Sequence, residues 1–206
     1  MTQEVDIFFH VAVLVFSVVA HEVSHGYAAL ALGDRTALYA GRLTMNPIKH
    51  IDPIGSVLLP LLMVVAQSPF LLGWAKPVPY NPYNLRDQRY GDLKVALAGP
   101  ATNFAIAFVF GLVLRFFGDA ATPAMIVLLD TIVVINIVLG VFNMIPIPPL
   151  DGSKVLFSFL PFRFRYIGEY LERYQLIFFI IFILVIWPLL SPVIYFLHAL
   201  ATGFGL

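Results

Sequence analysis

The chain has 206 residues, of which 60% are apolar and only 12% are charged, about half the charged fraction of a soluble domain, so in water it would expose large apolar patches. Its 12 basic and 12 acidic residues cancel, which disfavours nucleic-acid binding, and the absence of cysteine excludes disulfides, thiolate metal ligands and cysteine nucleophiles. With a mean hydropathy of +0.90, the chain is expected to be embedded in lipid.

Four stretches are long and apolar enough to cross a bilayer as helices, because about 20 residues rising 1.5 Å each cover a hydrocarbon core of about 30 Å. The leader before the first stretch contains Glu4 and Asp6 and no basic residue, so we expect a membrane anchor there and not a cleaved signal peptide. The four predicted spans are residues 6–32, 93–117, 123–145 and 176–200.

A fifth apolar stretch, residues 54–72, is interrupted by Pro60 and Pro69. If it spans, the basic residues divide 8 to 4 between the two faces; if it enters the membrane and returns, 11 share one face and only Arg115 lies opposite. The positive-inside rule favours the second arrangement, with the N-terminus outside and the long loops in the cytoplasm. We therefore expect a re-entrant hairpin that lines a cavity, because lipid does not tolerate exposed irregular backbone.

Three shorter segments are expected at the membrane surface. Residues 33–50 have a semi-alternating apolar pattern that turns near Ala40 and Gly41, which predicts a short β-hairpin. Residues 74–91 are rich in proline and predict a loop, and residues 163–173 have the spacing of an amphipathic surface helix. With no internal repeat or second domain evident, residues 1–206 are expected to form a single all-α polytopic membrane domain.

The first predicted span contains the sequence His21-Glu22-Val23-Ser24-His25. Residues four apart share one face of a helix, so both imidazoles can reach one metal ion, and Glu22 projects beside them, where it can act on water at the metal. The alternative is a polar cluster that only holds helices together. Ionisable groups at this depth cost several kcal/mol, however, which favours a functional role.

Two histidines do not complete a catalytic zinc site, which usually has three protein ligands and one open position. In a chain without cysteine the third ligand is a carboxylate or another histidine, and Asp151 is the obvious candidate. Pro146, Pro148 and Pro149 hold the preceding segment extended, and the predicted topology places it at the same depth as the histidines. The alternative is that Asp151 only caps the helix that follows it.

Small residues recur at every fourth position in two of the spans, which lets transmembrane helices approach closely. We therefore expect the first and second spans to pack closely around the site. These residues are Ala20, Ser24 and Ala28, and Gly99, Asn103, Ala107 and Gly111.

Several other polar residues are weaker candidates. Asn103 and Asn136 lie in predicted spans, where an amide needs a partner, so contact with the site or the substrate is one interpretation and helix packing is the other. His50 and Asp52 either join the site from the hairpin or are surface turn residues. His10 and Asp130 both fall near the outer face, where they could pair.

Two separated motifs resemble those of the site-2 protease family M50, the intramembrane zinc metalloproteases. They are HEVSH at residues 21–25 and NMIPIPPLDG at residues 143–152, in the family's order. The runs GPATN at 99–103 and MNPIKHIDPIG at 45–55 add to the resemblance and point to the small bacterial type without a PDZ or CBS domain. The resemblance covers nearly the whole chain.

The resemblance implies a role for five residues of this chain. His21, His25 and Asp151 are expected to bind one Zn²⁺ per chain. Glu22 is expected to be the catalytic base, which takes a proton from water and delivers it to the departing amine. Asn143 is expected to help hold the substrate peptide or the oxyanion.

The expected activity is hydrolysis of peptide bonds in or near the membrane segments of single-span proteins, in a bacterial inner membrane, with the active site toward the cytoplasm. A substrate helix must first unwind, and pairing with an exposed strand would hold it extended; we expect the hairpin at residues 33–50 to supply that strand. Two other classes remain open: a metal-ion transporter or channel, in which the same residues form a permeation site, and a proteolytically silent scaffold that binds transmembrane partners.

Overall fold

A computed structural model describes residues 2–67, 73–160 and 187–203, together with positions 168, 170, 171, 173–175 and 178. These residues form helices joined by turns and extended loops, and none of them lies in a β-strand. The α-helices are α1 (Thr2–Ala31), α2 (Thr36–Tyr39), α3 (Leu59–Val65), α4 (Gly91–Phe117), α5 (Pro123–Asn143), α6 (Asp151–Phe159) and α7 (Ser191–Thr202).

Three helical stretches are long and apolar enough to cross a membrane: Ile7–Ala31, Gly91–Ala120 and Pro123–Asn143. They coincide with the first three predicted spans, which are thereby confirmed as helices of this kind. The fourth predicted span, residues 176–200, lies largely outside the described residues, and its described end contains α7. The predicted surface helix at residues 163–173 also lies almost wholly outside them.

Helix α4 lies at the centre of the bundle and contacts α1, α5, α6 and α7. A buried apolar cluster joins α4, α5 and α7, whereas many large apolar side chains on the outer faces are exposed, among them Phe8 at 78% and Phe116 at 70%. Helices that are apolar on every face are expected in lipid. The cluster consists of Ala107, Leu114, Val133, Ile137, Val141 and Ala201.

The predicted β-hairpin at residues 33–50 is wrong. This segment contains α2 and a 3₁₀ turn at Pro47–His50. Asp34 accepts hydrogen bonds from the N–H and the hydroxyl of Thr36, at 3.2 and 2.6 Å, and Asn46 accepts one from the N–H of Ile48 at 3.1 Å. These local bonds engage backbone donors that a strand would need, so helical turns form where the apolar alternation predicted a ladder.

The proline-interrupted stretch at residues 54–72 begins as a π-helical turn at Pro53–Leu58 and continues as α3. Residues 68–72 lie outside the described residues. Where the chain is described again, the N–H of Trp74 donates to the carbonyl of Gly55 at 3.2 Å, and the Ser56 hydroxyl donates to the Trp74 carbonyl at 2.7 Å. The two ends of the stretch therefore lie side by side.

Residues 73–81 contain no helix or strand and are followed by a 3₁₀ turn at Pro82–Asn84. This agrees with the predicted loop, since proline removes backbone donors and resists helix formation. The segment is attached to the end of α1, because the N–H of Arg86 donates to the carbonyl of Leu32 at 2.8 Å. It thus lies near the half of α1 that carries the histidines.

Candidate metal centre

Two imidazoles on α1 face the interior of the bundle at adjacent turns. His21 and His25 are 6% and 8% exposed, and their Nε2 atoms lie 3.0 Å apart. Their rings are nearly perpendicular, at 84°. The four-residue spacing therefore does what the helical repeat predicts: it directs two nitrogen atoms to one point.

Asp151, the first residue of α6, completes the cluster from a distant part of the chain. Its Oδ2 atom lies 3.0 Å from Nε2 of His21 and 3.2 Å from Nε2 of His25. The residue at the N-cap is Leu150, and no side chain caps α6. The capping interpretation of Asp151 is therefore wrong for this structure.

Gly152 explains how the aspartate can approach so closely. A Cβ atom at this position would collide with the carbonyl oxygens of Met144 and Ile145. Turns at Ile147 and Leu150 fold the proline-rich segment back beneath α6, with hydrogen bonds of 2.8 and 3.0 Å. This folded segment, and not a straight extended one, sets the position of the carboxylate.

The three donor atoms fit a zinc ion. Zinc bonds to histidine nitrogen and carboxylate oxygen at about 2.0–2.1 Å in a tetrahedron, which separates neighbouring ligand atoms by roughly 3.3 Å. The observed separations of 3.0, 3.0 and 3.2 Å are close to that value. Two imidazoles and a carboxylate, with a fourth position free, form the usual donor set of a catalytic zinc site.

A buried hydrogen-bond chain determines the tautomer of His21. Its Nδ1 lies 2.6 Å from Oδ1 of Asn103, whose Nδ2 donates to Oδ1 of Asn136 at 2.9 Å. The Asn136 Nδ2 atom donates to the carbonyl of Ile132 at 2.9 Å, and also to the Ser17 hydroxyl at 2.9 Å. Because a carbonyl only accepts, the direction of the whole chain is fixed. The proton of His21 therefore resides on Nδ1, and Nε2 presents its lone pair to the metal position.

His25 has the same protonation pattern by a shorter route. Its Nδ1 lies 2.7 Å from the backbone carbonyl of Val95 on α4. Since that oxygen only accepts, Nδ1 carries the proton and Nε2 is free to act as a ligand. Helix α4 therefore orients both imidazoles, one through an amide side chain and one through its backbone.

The close approach of α4 to the histidines requires Gly99. A Cβ atom at Gly99 would collide with Nε2 of His25 and with Cε1 and Nε2 of His21. One part of the predicted small-residue stripe thus packs directly against the metal centre. Asn103, one turn further along the same face, is wholly buried and contacts His21.

Glu22 lies beside the cluster but is not one of the three converging donors. Its Oε2 accepts a hydrogen bond of 2.9 Å from the backbone N–H of Val78. The side chain is half-buried. A carboxylate in this place can exchange a proton with water at the metal without being a ligand itself.

Asn143 ends α5, and the structure does not bring it into contact with the converging donors. Its Nδ2 donates to the carbonyl of Leu139 on its own helix at 3.0 Å. That bond uses one of the four hydrogen-bonding positions of the amide.

Two other polar candidates lie away from the centre. His50 is buried, and its Nε2–H donates to the carbonyl of Thr44 at 2.9 Å, so it stabilises the loop that contains it. Asp130 pairs with His198 at 2.7 Å. Neither residue joins the metal cluster.

A second polar group, absent from the sequence analysis, lies at the ends of α4 and α6. The hydroxyl of Tyr80 donates to Asp92, and Nζ of Lys154 donates to the same phenol oxygen at 3.1 Å. Burial raises the pKa of Tyr80, and the neighbouring Asp92 and Asp151 carboxylates raise it further. The phenol therefore stays protonated and links three segments around the site.

Comparison with known proteins agrees with this geometry. The model of peptidase family M50 matches residues 115–186. The protein named "Putative zinc metalloprotease YwhC" of Bacillus subtilis is 36% identical over 194 residues, which cover 88% of this chain and 85% of that protein. The chain therefore belongs to peptidase family M50.

Two further relatives match over shorter regions. "Putative zinc metalloprotease Rip2" of Mycolicibacterium smegmatis is 30% identical over 140 residues, 68% of this chain and 52% of the relative. "Putative zinc metalloprotease MJ0611" of Methanocaldococcus jannaschii is 43% identical over 83 residues, 40% of this chain and 42% of the relative. No solved structure is a significant match to the chain.

Proposed function

We infer that the chain is an intramembrane zinc metalloprotease. The observation that carries this function is the convergence of His21 Nε2, His25 Nε2 and Asp151 Oδ2, 3.0–3.2 Å apart, next to a carboxylate that is not a ligand. Membership of peptidase family M50 and the three membrane-length helices support it.

The three converging residues hold the zinc ion. When bound, zinc supplies Lewis-acid chemistry: it polarises the scissile carbonyl and makes water more acidic. Asn103 and the Val95 carbonyl keep the Nδ1 protons of His21 and His25 in place, so that both Nε2 atoms would present a lone pair to the zinc ion. No described residue donates to Oε1 of Glu22, so this oxygen is available to take the proton of the attacking water and to pass it to the departing amine.

We also propose that Asn143 contacts the substrate. Only one N–H of its amide is engaged within α5, which leaves the second N–H and the carbonyl oxygen for an extended peptide backbone. Such a contact would orient the scissile bond relative to the metal. The strand once expected at residues 33–50 has no part in this proposal.

We propose a topology of four full spans and one re-entrant hairpin in a single domain of residues 1–206, with the N-terminus outside. The adjacency of Gly55 and Trp74 supports the hairpin, because a spanning segment would separate its two ends. The division of basic residues, 11 to 1, supports a cytoplasmic active site in a bacterial inner membrane. The substrates are then single-span membrane proteins surrounded by the same lipid.

The transporter and scaffold interpretations are not favoured. A permeation path needs a series of weak sites, whereas the described residues offer one compact donor set. A silent scaffold would have no use for a buried network that fixes imidazole tautomers. The family of the chain also consists of peptidases.

The test compares wild type with Glu22→Gln, each purified in detergent or nanodiscs, using a fluorescent single-span protein as substrate. Loss of general base catalysis should lower turnover by about 10²- to 10⁴-fold, while zinc content stays at one per chain. Glu4→Gln is the matched control, since it makes the same chemical change near the start of α1. Wild-type turnover in Glu22→Gln at equal zinc content would refute the role of Glu22.

A further inference from the structure

A single backbone N–H contacts the catalytic carboxylate from outside α1. Val78 is 5% exposed, and its N–H donates to Oε2 of Glu22 at 2.9 Å. Its neighbours are Pro77 and Pro79, which have no backbone N–H. Val78 therefore supplies the one amide donor of residues 77–79, and that donor is used on Glu22.

Buried contacts hold this donor in place. Arg42 is 7% exposed, and its Nη2 donates to the carbonyls of Lys76 and Pro77 at 2.7 and 3.3 Å. The N–H of Lys76 donates to the carbonyl of His50 at 2.8 Å. The backbone of residues 76 and 77 is thus held by Arg42 and His50, and a rotation of the Pro77–Val78 peptide would break the bond between Arg42 and the Pro77 carbonyl.

The sequence of α1 leaves room for this approach. Gly26 lies four residues after Glu22, on the same helical face. A Cβ atom at Gly26 would lie 2.8 Å from Cγ1 of Val78 and would also collide with Leu43. Glycine at this position therefore makes room for the side chains of Leu43 and Val78 beside α1.

Because of the contact with the Val78 N–H, the two carboxylate oxygens of Glu22 have different roles. Oε2 is held by the amide, and among the described residues no donor reaches Oε1. A free glutamate samples many rotamers, and a displacement of about 1 Å in a catalytic group can lower turnover about 100-fold. The amide restricts the rotation of the carboxylate and leaves the other oxygen for proton transfer.

We propose that the Val78 N–H positions the general base Glu22, so that residues 76–78 form a backbone clamp for catalysis. Val78 is a positioning residue, because it acts through Glu22 and does not touch the reacting atoms. The inference rests on the proposed function, in which Glu22 is the base.

The test is Val78→Pro, which deletes the N–H in a segment that contains no helix or strand and already has proline on either side. We expect kcat to fall about 10- to 100-fold, with KM within about twofold of wild type and zinc content unchanged. Val78→Ala keeps the N–H and should lose much less turnover than Val78→Pro. Ala75→Pro is the matched control, because it introduces proline into the same stretch at an N–H that makes no hydrogen bond among the described residues.

A second pair of variants tests the same contact if Val78→Pro does not fold. Gly26→Ala should displace Val78 and lower kcat about 10-fold or more, again with little change in KM. In the triple variant Gly26→Ala/Leu43→Ala/Val78→Ala both colliding atoms, Cδ2 of Leu43 and Cγ1 of Val78, are gone, and kcat should recover toward that of Leu43→Ala/Val78→Ala. A structural defect alone would not be rescued in kcat at constant zinc content.

Two results would overturn the clamp: a kcat for Val78→Pro equal to that of Ala75→Pro, or the absence of rescue in the triple variant. Failure of the proposed function gives a different result, namely a wild type that cleaves no membrane protein or a Glu22→Gln variant that cleaves normally. An active wild type, an inactive Glu22→Gln and an active Val78→Pro would refute the clamp alone.

Discussion

Asn103 joins His21 to an amide chain that crosses from α4 to α5. It accepts from Nδ1 of His21 and donates to Asn136, and it is wholly buried. Replacement by leucine would leave a buried N–H donor on one side and a buried carbonyl oxygen on the other. The asparagine therefore links His21, a proposed zinc ligand, to α4 and α5.

Asn103→Leu should lower zinc affinity about 10- to 100-fold, because the second hydrogen bond of a metal-binding histidine is lost. Competition with a chromogenic chelator measures the affinity. Thr131→Val is the matched control, because among the described residues the Thr131 hydroxyl bonds only to the carbonyl of Val127 in its own helix. Equal zinc affinity in Asn103→Leu and Thr131→Val would contradict the proposed role of the network.

Asp34 is a buried carboxylate that connects the end of α1 to the loop at residues 79–90, which follows the proposed re-entrant hairpin. It accepts from the N–H of Asn81 and Nδ2 of Asn84, both at 2.8 Å, in addition to Thr36. Burial alone would raise the pKa of Asp34, but the bonds from Thr36, Asn84 and Asn81 outweigh it and hold the pKa below its ordinary value of 3.8. The carboxylate therefore stabilises the folded loop at neutral pH.

Because the folded-state pKa of Asp34 is depressed, its stabilising effect is present above the unfolded pKa and is lost as pH falls through the folded pKa. Hydrogen-exchange protection of residues 79–90 should be constant from pH 7 to about pH 5 and should fall below about pH 4. In Asp34→Asn the amide N–H₂ group would face the N–H and O–H donors that bind the carboxylate. This replacement should lower the free energy of unfolding of the loop by about 1–3 kcal/mol. It should also remove the pH dependence, because the side chain no longer titrates. Full protection of the wild-type loop at the lowest pH would contradict the prediction.

At the scale of whole helices, two glycines of α4 mark its close contacts with other helices. Helix α4 approaches α1 at Gly99, and it approaches α7 at Gly111. A Cβ atom at Gly99 would meet both imidazoles, whereas one at Gly111 would lie 2.7 Å from Cβ of Ala201. The same small-residue pattern therefore serves two purposes on one helix. One end of it shapes the metal centre, and the other end lets two helices pack.

Gly99→Ala should abolish stoichiometric zinc binding, because the added methyl group occupies the space of the histidine rings. Gly111→Ala should lower the melting temperature but keep one zinc per chain. Gly118→Ala, with no atom within 4 Å of its added Cβ, should change neither property. Metal analysis and thermal unfolding of the three variants separate these outcomes, and a Gly99→Ala protein that binds zinc normally would contradict the first.

Residues 33–50, between α1 and the proposed re-entrant hairpin, show how an element can be mispredicted. Its apolar alternation favours a strand, but Gly33 and Gly41 have positive φ angles of 110° and 63° and interrupt the chain at both ends of α2. Asp34 and Asn46 then engage nearby N–H groups. Local side-chain acceptors decided this segment, because a two-stranded hairpin has too little cross-strand packing to compete with them.

At the scale of the whole molecule, the proposed topology places residues 33–53 and 73–90 on the cytoplasmic face and the connection between α4 and α5 outside. Tyr83, at 86% exposure, marks the first face, and exposed Ala120 marks the second. The chain contains no cysteine, so a single introduced thiol reports its own location.

In intact cells or spheroplasts, a membrane-impermeant maleimide should label Ala120→Cys and should not label Tyr83→Cys. After permeabilisation both variants should react. Labelling of both thiols before permeabilisation, or of Tyr83→Cys alone, would contradict the proposed orientation. Equal zinc content in the two variants serves as the control for correct folding.

Much of the molecule was predictable from sequence because the bilayer imposes a one-dimensional constraint. Helices that cross it must be about 20 apolar residues long, so α1, α4 and α5 stand out from run length alone. The HEVSH spacing predicts two converging imidazoles because the helical repeat fixes which side chains share a face. Motif resemblance placed the chain in the correct peptidase family for the same reason: these chemical requirements are local.

Only the tertiary structure decided which contacts between helices and loops bring the local motifs together. Asp151 reaches His21 across 130 positions of chain, and the direction of the amide chain behind His21 depends on a carbonyl of α5. The Val78 contact with Glu22 uses a backbone N–H, which every residue except proline possesses, so no side-chain pattern could mark it. Sequence patterns report side-chain type and spacing within an element, whereas contacts between elements and backbone donors depend on how the helices pack.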